Sequence, residues 1–201
     1  MQLLAAGASP FVRKVRVLLH ETGQTGDVAL LDVATTPMAT DPAVAAANPI
    51  GKIPALIRPD GPTLYDSRVI CRYLDARVGA GLYPEARIWE VLTLEATADG
   101  IMEAAVLMVY EGRARPEEMR YAPWVEAQWA KVTRALDAVG ARRMGHLAGK
   151  PDMSHIAMGC ALGYLDFRHA DRAWRAGRDA LAAWYADFAD RPSMVATVPT
   201  G

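Results

Sequence analysis

The strongest constraint on this chain is a change of hydrophobic period near residue 80. Before it, Gln2–Ala6 is a short apolar run, broken by Gly7-Ala8-Ser9-Pro10. Phe11, Val12, Val15, Leu18 and Leu19 then recur at helical spacing, with Arg13, Lys14, Arg16, His20 and Glu21 largely on the other side. Val28–Val33 reads as a second strand. Strand, helix and strand in about 30 residues form a βαβ unit, which implies a parallel pair with a right-handed crossover. Residues 34–52 read as an irregular connector with one short helix. Ala55–Arg58 and Thr63–Tyr65 flank Pro59-Asp60-Gly61-Pro62, a turn cluster that predicts a hairpin. Ser67 then opens a helix with the stripe Val69, Ile70, Tyr73, Leu74 and Val78. The order β-α-β, connector, β-β-α makes residues 1–80 an α/β domain.

Beyond the loop Gly79–Pro84 the strand signals stop. Helical patterns cover Ala86–Arg113, Pro123–Ala141, Asp152–Phe167 and Arg178–Ala189, so residues 85–201 are expected to form an all-α helical-bundle domain. The run IAMGCALGYLDF within the third pattern is apolar on nearly every side, which places that helix at the bundle centre.

Composition removes several functional classes. The 22 Lys+Arg and 23 Asp+Glu residues are evenly spread, with 8 basic and 7 acidic in residues 1–80. Nucleic-acid binding needs a basic footprint that this pattern lacks, so no such partner is expected. No apolar run reaches the ~18 residues of a membrane span. The N-terminal basic residues follow the short apolar stretch, the reverse of a signal peptide, and a cytoplasmic location is expected. Two cysteines make no disulfide framework, and the four histidines never take a zinc-type spacing, so no metal is expected. The stretch AANPIGKI lacks the first glycine and the Ser/Thr of a phosphate loop, and neither GxGxxG nor GxSxG occurs where it would be needed.

What remains lies in the first domain. Ser9 stands where a strand turns into a helix, next to backbone N–H groups that favour an anion. A thiolate is one such anion, but a Ser-Pro pair is also an ordinary helix cap. Ile53-Pro54 precedes a strand, where either a trans loop proline or a cis bond fits. Asp66-Ser67 is a second capping pair; equally, a carboxylate, a hydroxyl and a helix N-terminus together can hold an amino-acid head group.

The segments SPFVRKVR (Ser9–Arg16), NPIGKIP (Asn48–Pro54) and YDSRVICRYL (Tyr65–Leu74), in this order and spacing, resemble the soluble glutathione S-transferases, most nearly serine-type bacterial members, with similarity to the plant tau pattern. GCALGYLDFR (Gly159–Arg168) resembles the family's central helix. The resemblance spans the chain and implies a thioredoxin-like first domain that binds glutathione as co-substrate. It implies that Ser9 is catalytic, donating a hydrogen bond to the glutathione sulfur and so favouring thiolate over thiol. It implies a cis-proline at Pro54, pairing of the Ile53 backbone with the cysteinyl part, and Lys52 near the glycyl carboxylate. Asp66 would take the γ-glutamyl ammonium and Ser67 its carboxylate. Phe11, Met108 and Tyr110 are the candidates for an electrophile pocket formed mostly by the helical domain. A homodimer is implied as well.

The leading expectation is therefore a transferase acting on a small apolar electrophile in a detoxification role. A non-catalytic ligand-binding or protein-docking member of the same fold, and a glutathione-dependent isomerase or dehalogenase, are the alternatives. One departure from the family pattern concerns the start of the central helix, where a Ser/Thr-x-x-Asp capping box is replaced by Asp152-Met153-Ser154-His155. Asp152 can still cap, while His155 removes a favourable negative charge, so a modest loss of stability is expected there.

Overall fold

A computed structural model describes residues 1–201. They divide into two units, Met1–Ala86 together with Pro192–Gly201, and Arg87–Arg191.

In the first unit, β1 (Gln2–Ala5) leads into α1 (Pro10–Glu21), β2 (Ala29–Asp32) and the short α2 (Pro42–Ala47). The hairpin β3 (Ala55–Arg58) and β4 (Gly61–Leu64) follows, and then α3 (Ser67–Val78). The sheet order is β2-β1-β3-β4, with β1 parallel to β2 and antiparallel to β3, and β3 antiparallel to β4. Register runs through the pairs Leu4↔Leu31, Leu4↔Ala55 and Leu56↔Leu64. Helices α1 and α3 pack on each other, and Leu3, Val15, Leu18, Leu56, Ile70 and Leu74 form buried core. Burying such a side chain contributes about 1.5–3 kcal/mol relative to leaving it in water. β4 begins two residues earlier, in the turn cluster, than the sequence suggests. It is an edge strand, where Pro62 lacks an N–H without breaking a ladder bond, and Arg58 Nε donates to the Pro62 carbonyl at 3.1 Å.

On the polar side of α1, Arg13 and Lys14 are both buried, Lys14 completely. The domain assignment 85–201 overruns, because Pro192–Gly201, including α9 (Pro192–Val195), belongs to the first unit. The burial of Arg13 and this boundary share one physical cause. Arg13 Nη2 donates to the Met194 carbonyl at 3.0 Å, Arg16 donates to the Ala196 carbonyl at 3.4 Å, and Ser193 Oγ donates to Glu21. The polar face of α1 is therefore roofed by the returning C-terminal segment. A helical pattern cannot distinguish such a face from one that meets water. The segment also approaches the loop after β1, where a Cβ on Gly7 would lie 2.4 Å from Thr200 Oγ1.

The second unit is helical: α4 (Ile88–Ala114), α5 (Ala122–Arg142), α6 (Met144–Leu147), α7 (Met153–Arg168) and α8 (Asp179–Ala189). α7 is buried continuously from Met153 to Leu165 and packs against α4 and α8, so an all-round apolar helix is the central one. α4 also packs on α5.

The replacement at the start of α7 does not weaken its cap. Asp152 Oδ1 accepts the Ser154 N–H at 3.0 Å, and the reciprocal half of the capping box comes from the imidazole of His155. The His155 Nδ1 ring nitrogen lies 3.2 Å from the Asp152 N–H and 2.9 Å from its Oδ1. The sequence expectation assumed that only a carboxylate could fill this position. A buried imidazole completes the box in place of the carboxylate.

Candidate functional site

The site is built from strand ends. β1 closes at Ala5, and the following turn is held by the Ser9 N–H donating to the Ala6 carbonyl at 3.1 Å. Ser9 is the N-cap of α1, and its Oγ accepts the Val12 N–H at 3.3 Å, with Pro10 in the first helical position. Capping uses the oxygen as an acceptor. The hydroxyl proton is left for donation to a second group, so cap and thiolate donor are compatible roles for one serine.

The second segment is shaped by Asn48, a residue to which sequence reasoning assigned no role. Its Nδ2 donates to the Lys52 carbonyl at 2.8 Å and its Oδ1 accepts the Ile50 N–H at 3.0 Å. Gly51 in this loop has φ +70°, a left-handed conformation for which glycine is suited. Lys52 is exposed, Pro54 is buried, and the Ile53–Pro54 peptide is cis. The signal for Asn48 was present in the Asn-Pro-x-Gly pattern, which favours a side chain that bonds to the backbone two residues on.

The third segment starts α3. Asp66 is its N-cap, with Oδ1 accepting the Arg68 N–H at 3.0 Å and Oδ2 accepting the Arg68 guanidinium at 2.9 and 3.3 Å. Its partial burial pushes the carboxyl pKa up. The hydrogen bonds and charge of Arg68, with the charge of buried Lys14, outweigh that and hold it below the ordinary value. Ser67 is buried in the first helical position, and the Tyr65–Asp66 peptide is cis.

Register brings these three segments together. β3 runs antiparallel to β1 with Ala55 opposite Leu4, so Pro54 lies at the end of the sheet where β1 delivers Ser9. β4 runs antiparallel to β3 with Leu64 opposite Leu56, so Asp66 and Ser67 emerge at that same end. Two helix N-termini, of α1 and α3, therefore stand there with Ser9, Asp66 and Ser67. Such an end favours an anion through its N–H groups, while Asp66 offers a place for a cation. Phe11 lies half-buried in the first turn of α1. In the second unit, Met108 points into the interior and Tyr110 is half-buried on α4.

One further cluster has the composition of a metal site. His146, Asp152 and His155 place their ligand atoms within 4.8 Å of one another. The sequence did not show it, because His146 lies on α6 and only tertiary packing carries it to the start of α7. The carboxylate of Asp152 is occupied by hydrogen bonds: Ser154 Oγ at 2.6 Å and His155 on Oδ1, and His146 Nε2 at 2.9 Å on Oδ2. Arg87 adds a positive charge 3.6 Å from Oδ2. This is a saturated helix cap with a cation already beside it. Burial pushes the Asp152 pKa up, yet the bonds from His155 and Ser154 and the charges of the two histidines bring it down to about 2.

Comparison with known proteins agrees with this geometry. Residues 8–77 match the family model of the glutathione S-transferase N-terminal domain, and residues 122–187 match that of the C-terminal domain. A glutathione transferase family member from Pseudomonas fluorescens Pf-5, solved with bound glutathione, is 49% identical, with TM-score 0.96 over 100% of this chain and 99% of that one. A second structure from the same organism holds S-(propanoic acid)-glutathione and superposes with TM-score 0.91 at 47% identity over the whole of both chains. An uncharacterized GST-like protein of Escherichia coli K12, YibF, is 33% identical over 99% of this chain and 98% of its own length. With both domain models matched in order and full-length relatives at this identity, the chain belongs to the glutathione S-transferase family of enzymes.

Proposed function

We propose that this glutathione transferase binds glutathione at the end of the sheet where Ser9, Ile53–Pro54 and Asp66–Ser67 converge, and attacks a small electrophile with the bound thiolate. The convergence of these three segments through strand register is the observation that carries the reading. The Ser9 hydroxyl donates to the sulfur, and the N-terminus of α1 adds partial positive charge. Both favour thiolate and lower the thiol pKa towards neutrality. The backbone of Ile53, turned by the cis Pro54 bond, pairs with the cysteinyl amide. Asp66, held ionised by Arg68 and Lys14, takes the γ-glutamyl ammonium, and Ser67 with the N-terminus of α3 takes the carboxylate. Lys52 approaches the glycyl carboxylate.

The glutathione and S-(propanoic acid)-glutathione bound in the Pseudomonas proteins support this reading, the second being a thioether, the form of product such an attack gives. The enzyme works as a cytoplasmic homodimer in detoxification, an assignment that rests on the family. Calorimetric titration with reduced glutathione tests the site. Saturable binding is expected, weakened about tenfold or more by Ser67→Ala through the loss of a charge-assisted hydrogen bond. Absence of binding at millimolar glutathione, or an affinity indifferent to Ser67, would refute it.

A further inference from the structure

The turn that delivers Ser9 is held from outside by a segment far along the chain. In Ala6–Ser9 the Ser9 N–H donates to the Ala6 carbonyl at 3.1 Å, which leaves Gly7 and Ala8 as the two central residues. The carbonyl of their shared peptide accepts the Thr200 N–H at 3.4 Å. Thr200 lies in Pro192–Gly201, the part of the chain that returns to the first unit. Gly7 does not adopt a left-handed conformation, so backbone angles do not call for a glycine there. A close approach does: a Cβ on Gly7 would run into Thr200 Oγ1 and stand 3.3 Å from the Thr200 carbonyl oxygen. Glycine in turn leaves the centre of the turn with a wide choice of backbone angles, which the contact with Thr200 narrows.

The same segment is gripped by the helix that Ser9 caps. The backbone N–H of Arg13 donates to the Ser9 carbonyl at 3.0 Å. Its guanidinium donates to the Met194 carbonyl at 3.0 Å and to Thr197 Oγ1 at 3.5 Å. Thr197 is buried, and its hydroxyl donates to the Ser193 carbonyl at 2.8 Å. Ser9 therefore lies inside a closed circuit. It runs from the Ser9 carbonyl to Arg13, from Arg13 to Thr197, along the chain to Thr200, and from Thr200 to Gly7. One arm fixes the start of α1 and the other fixes the turn that enters it. The Ser9 Oγ, already accepting the Val12 N–H at 3.3 Å, is set by both.

We propose that Thr200, anchored through Thr197 on Arg13, is a positioning residue for Ser9: it holds the entering turn so that the serine hydroxyl meets the sulfur of glutathione. The proposal deepens the transferase reading and rests on it. A donor is effective only when held within about 0.5 Å and 10–20° of its productive geometry. A loosened turn therefore costs thiolate stabilisation. The contacts to the γ-glutamyl and cysteinyl parts come from the other two segments and keep their affinity.

The test measures the pKa of the glutathione thiol bound to the full-length protein, from the ultraviolet absorbance of the thiolate. Calorimetric binding of S-methylglutathione, which has no thiol to ionise, reports whether the rest of the site is intact. Thr200→Pro removes the N–H at an exposed position and is expected to raise the bound thiol pKa by about 0.5–1 unit, the worth of one ordinary hydrogen bond. Thr197→Val removes the Arg13 contact with little change of shape and should raise it by less. Thr200→Ala keeps the N–H and should retain most of the wild-type lowering. S-methylglutathione should bind each variant within about twofold of wild type. In a Ser9→Ala background, Thr200→Pro should have no further effect, because its influence passes through the hydroxyl. Three results would each overturn the positioning role and leave the transferase reading in place: a thiol pKa unmoved by both Thr200→Pro and Thr197→Val, a shift that persists without the Ser9 hydroxyl, or a parallel loss of S-methylglutathione affinity. If the wild type binds neither ligand, the glutathione site falls and this role with it.

Discussion

Replacing Asp152 by Asn isolates the charge of the α7 cap from its shape. Asn retains a carbonyl oxygen that can accept the Ser154 N–H, but it cannot accept all the donors that now converge. Those are Ser154 N and Oγ on Oδ1, and His146 with the nearby Arg87 on Oδ2. The carboxyl titrates at about 2 in the folded protein, against an ordinary value of 3.8. A depression of nearly two units corresponds to about 2 kcal/mol of stability. The folded-state pKa is the lower one, so this stabilisation is complete above about pH 5 and is lost as pH falls through 4 towards 2. For a chain of this size about 2 kcal/mol lowers Tm by roughly 4–8 °C. Thermal unfolding followed by circular dichroism at pH 7 should show this deficit in Asp152→Asn. Asp152→Ala should lose more, because the helix cap disappears as well, leaving donors buried without an acceptor. Repeating the melts at pH 4.5 and 3.5 should narrow the gap between wild type and Asp152→Asn. Equal Tm values at pH 7, or a gap that does not shrink on acidification, would refute the ionised cap as a source of stability.

Three further outcomes are expected. Arg13→Ala should destabilise the protein by about 1–3 kcal/mol in urea unfolding, since it strips a charge-assisted donor from the buried Met194 carbonyl; an unchanged midpoint would mean that the C-terminal segment does not depend on α1. Gly7→Ala should cost about 1–3 kcal/mol through overpacking against Thr200, read as faster limited proteolysis near residue 195, and a profile like that of wild type would argue against the close approach. Asp66→Asn should weaken glutathione binding at pH 7. In the wild type, affinity should hold as pH falls through the ordinary carboxylate range, because Arg68 and Lys14 keep Asp66 ionised; a loss of affinity centred at or above the ordinary value would contradict that.

Much of the first unit could be read from local pattern. The apolar runs of β1 and β3, the Ser9-Pro10 and Asp66-Ser67 caps and the 59–62 turn are decided by residues a few positions apart, where backbone sterics and hydrogen bonding act directly. The candidate glutathione residues fall in those same caps and turns, so a family resemblance could pick them out. The burial of Arg13 was not legible for the converse reason. Helical period shows which residues share a face, whereas what covers that face depends on a segment some 180 residues later in the chain. Similarly, His155 in a capping position looked like a defect until the structure showed its imidazole turned back to the Asp152 N–H.

The sequence by itself determined the element types, their order and the change from mixed α/β to all-helical, because period, capping and turn chemistry are short-range. Tertiary structure alone decided what meets what. Register set the three loops at one end of the sheet, and the return of Pro192–Gly201 buried the cationic face of α1. The packing of α7 on α4 set His169 against the Ala105 carbonyl. The physical reason is that side chains far apart in sequence acquire a shared charge, a shared donor or a shared desolvation only when a core forms between the elements that carry them.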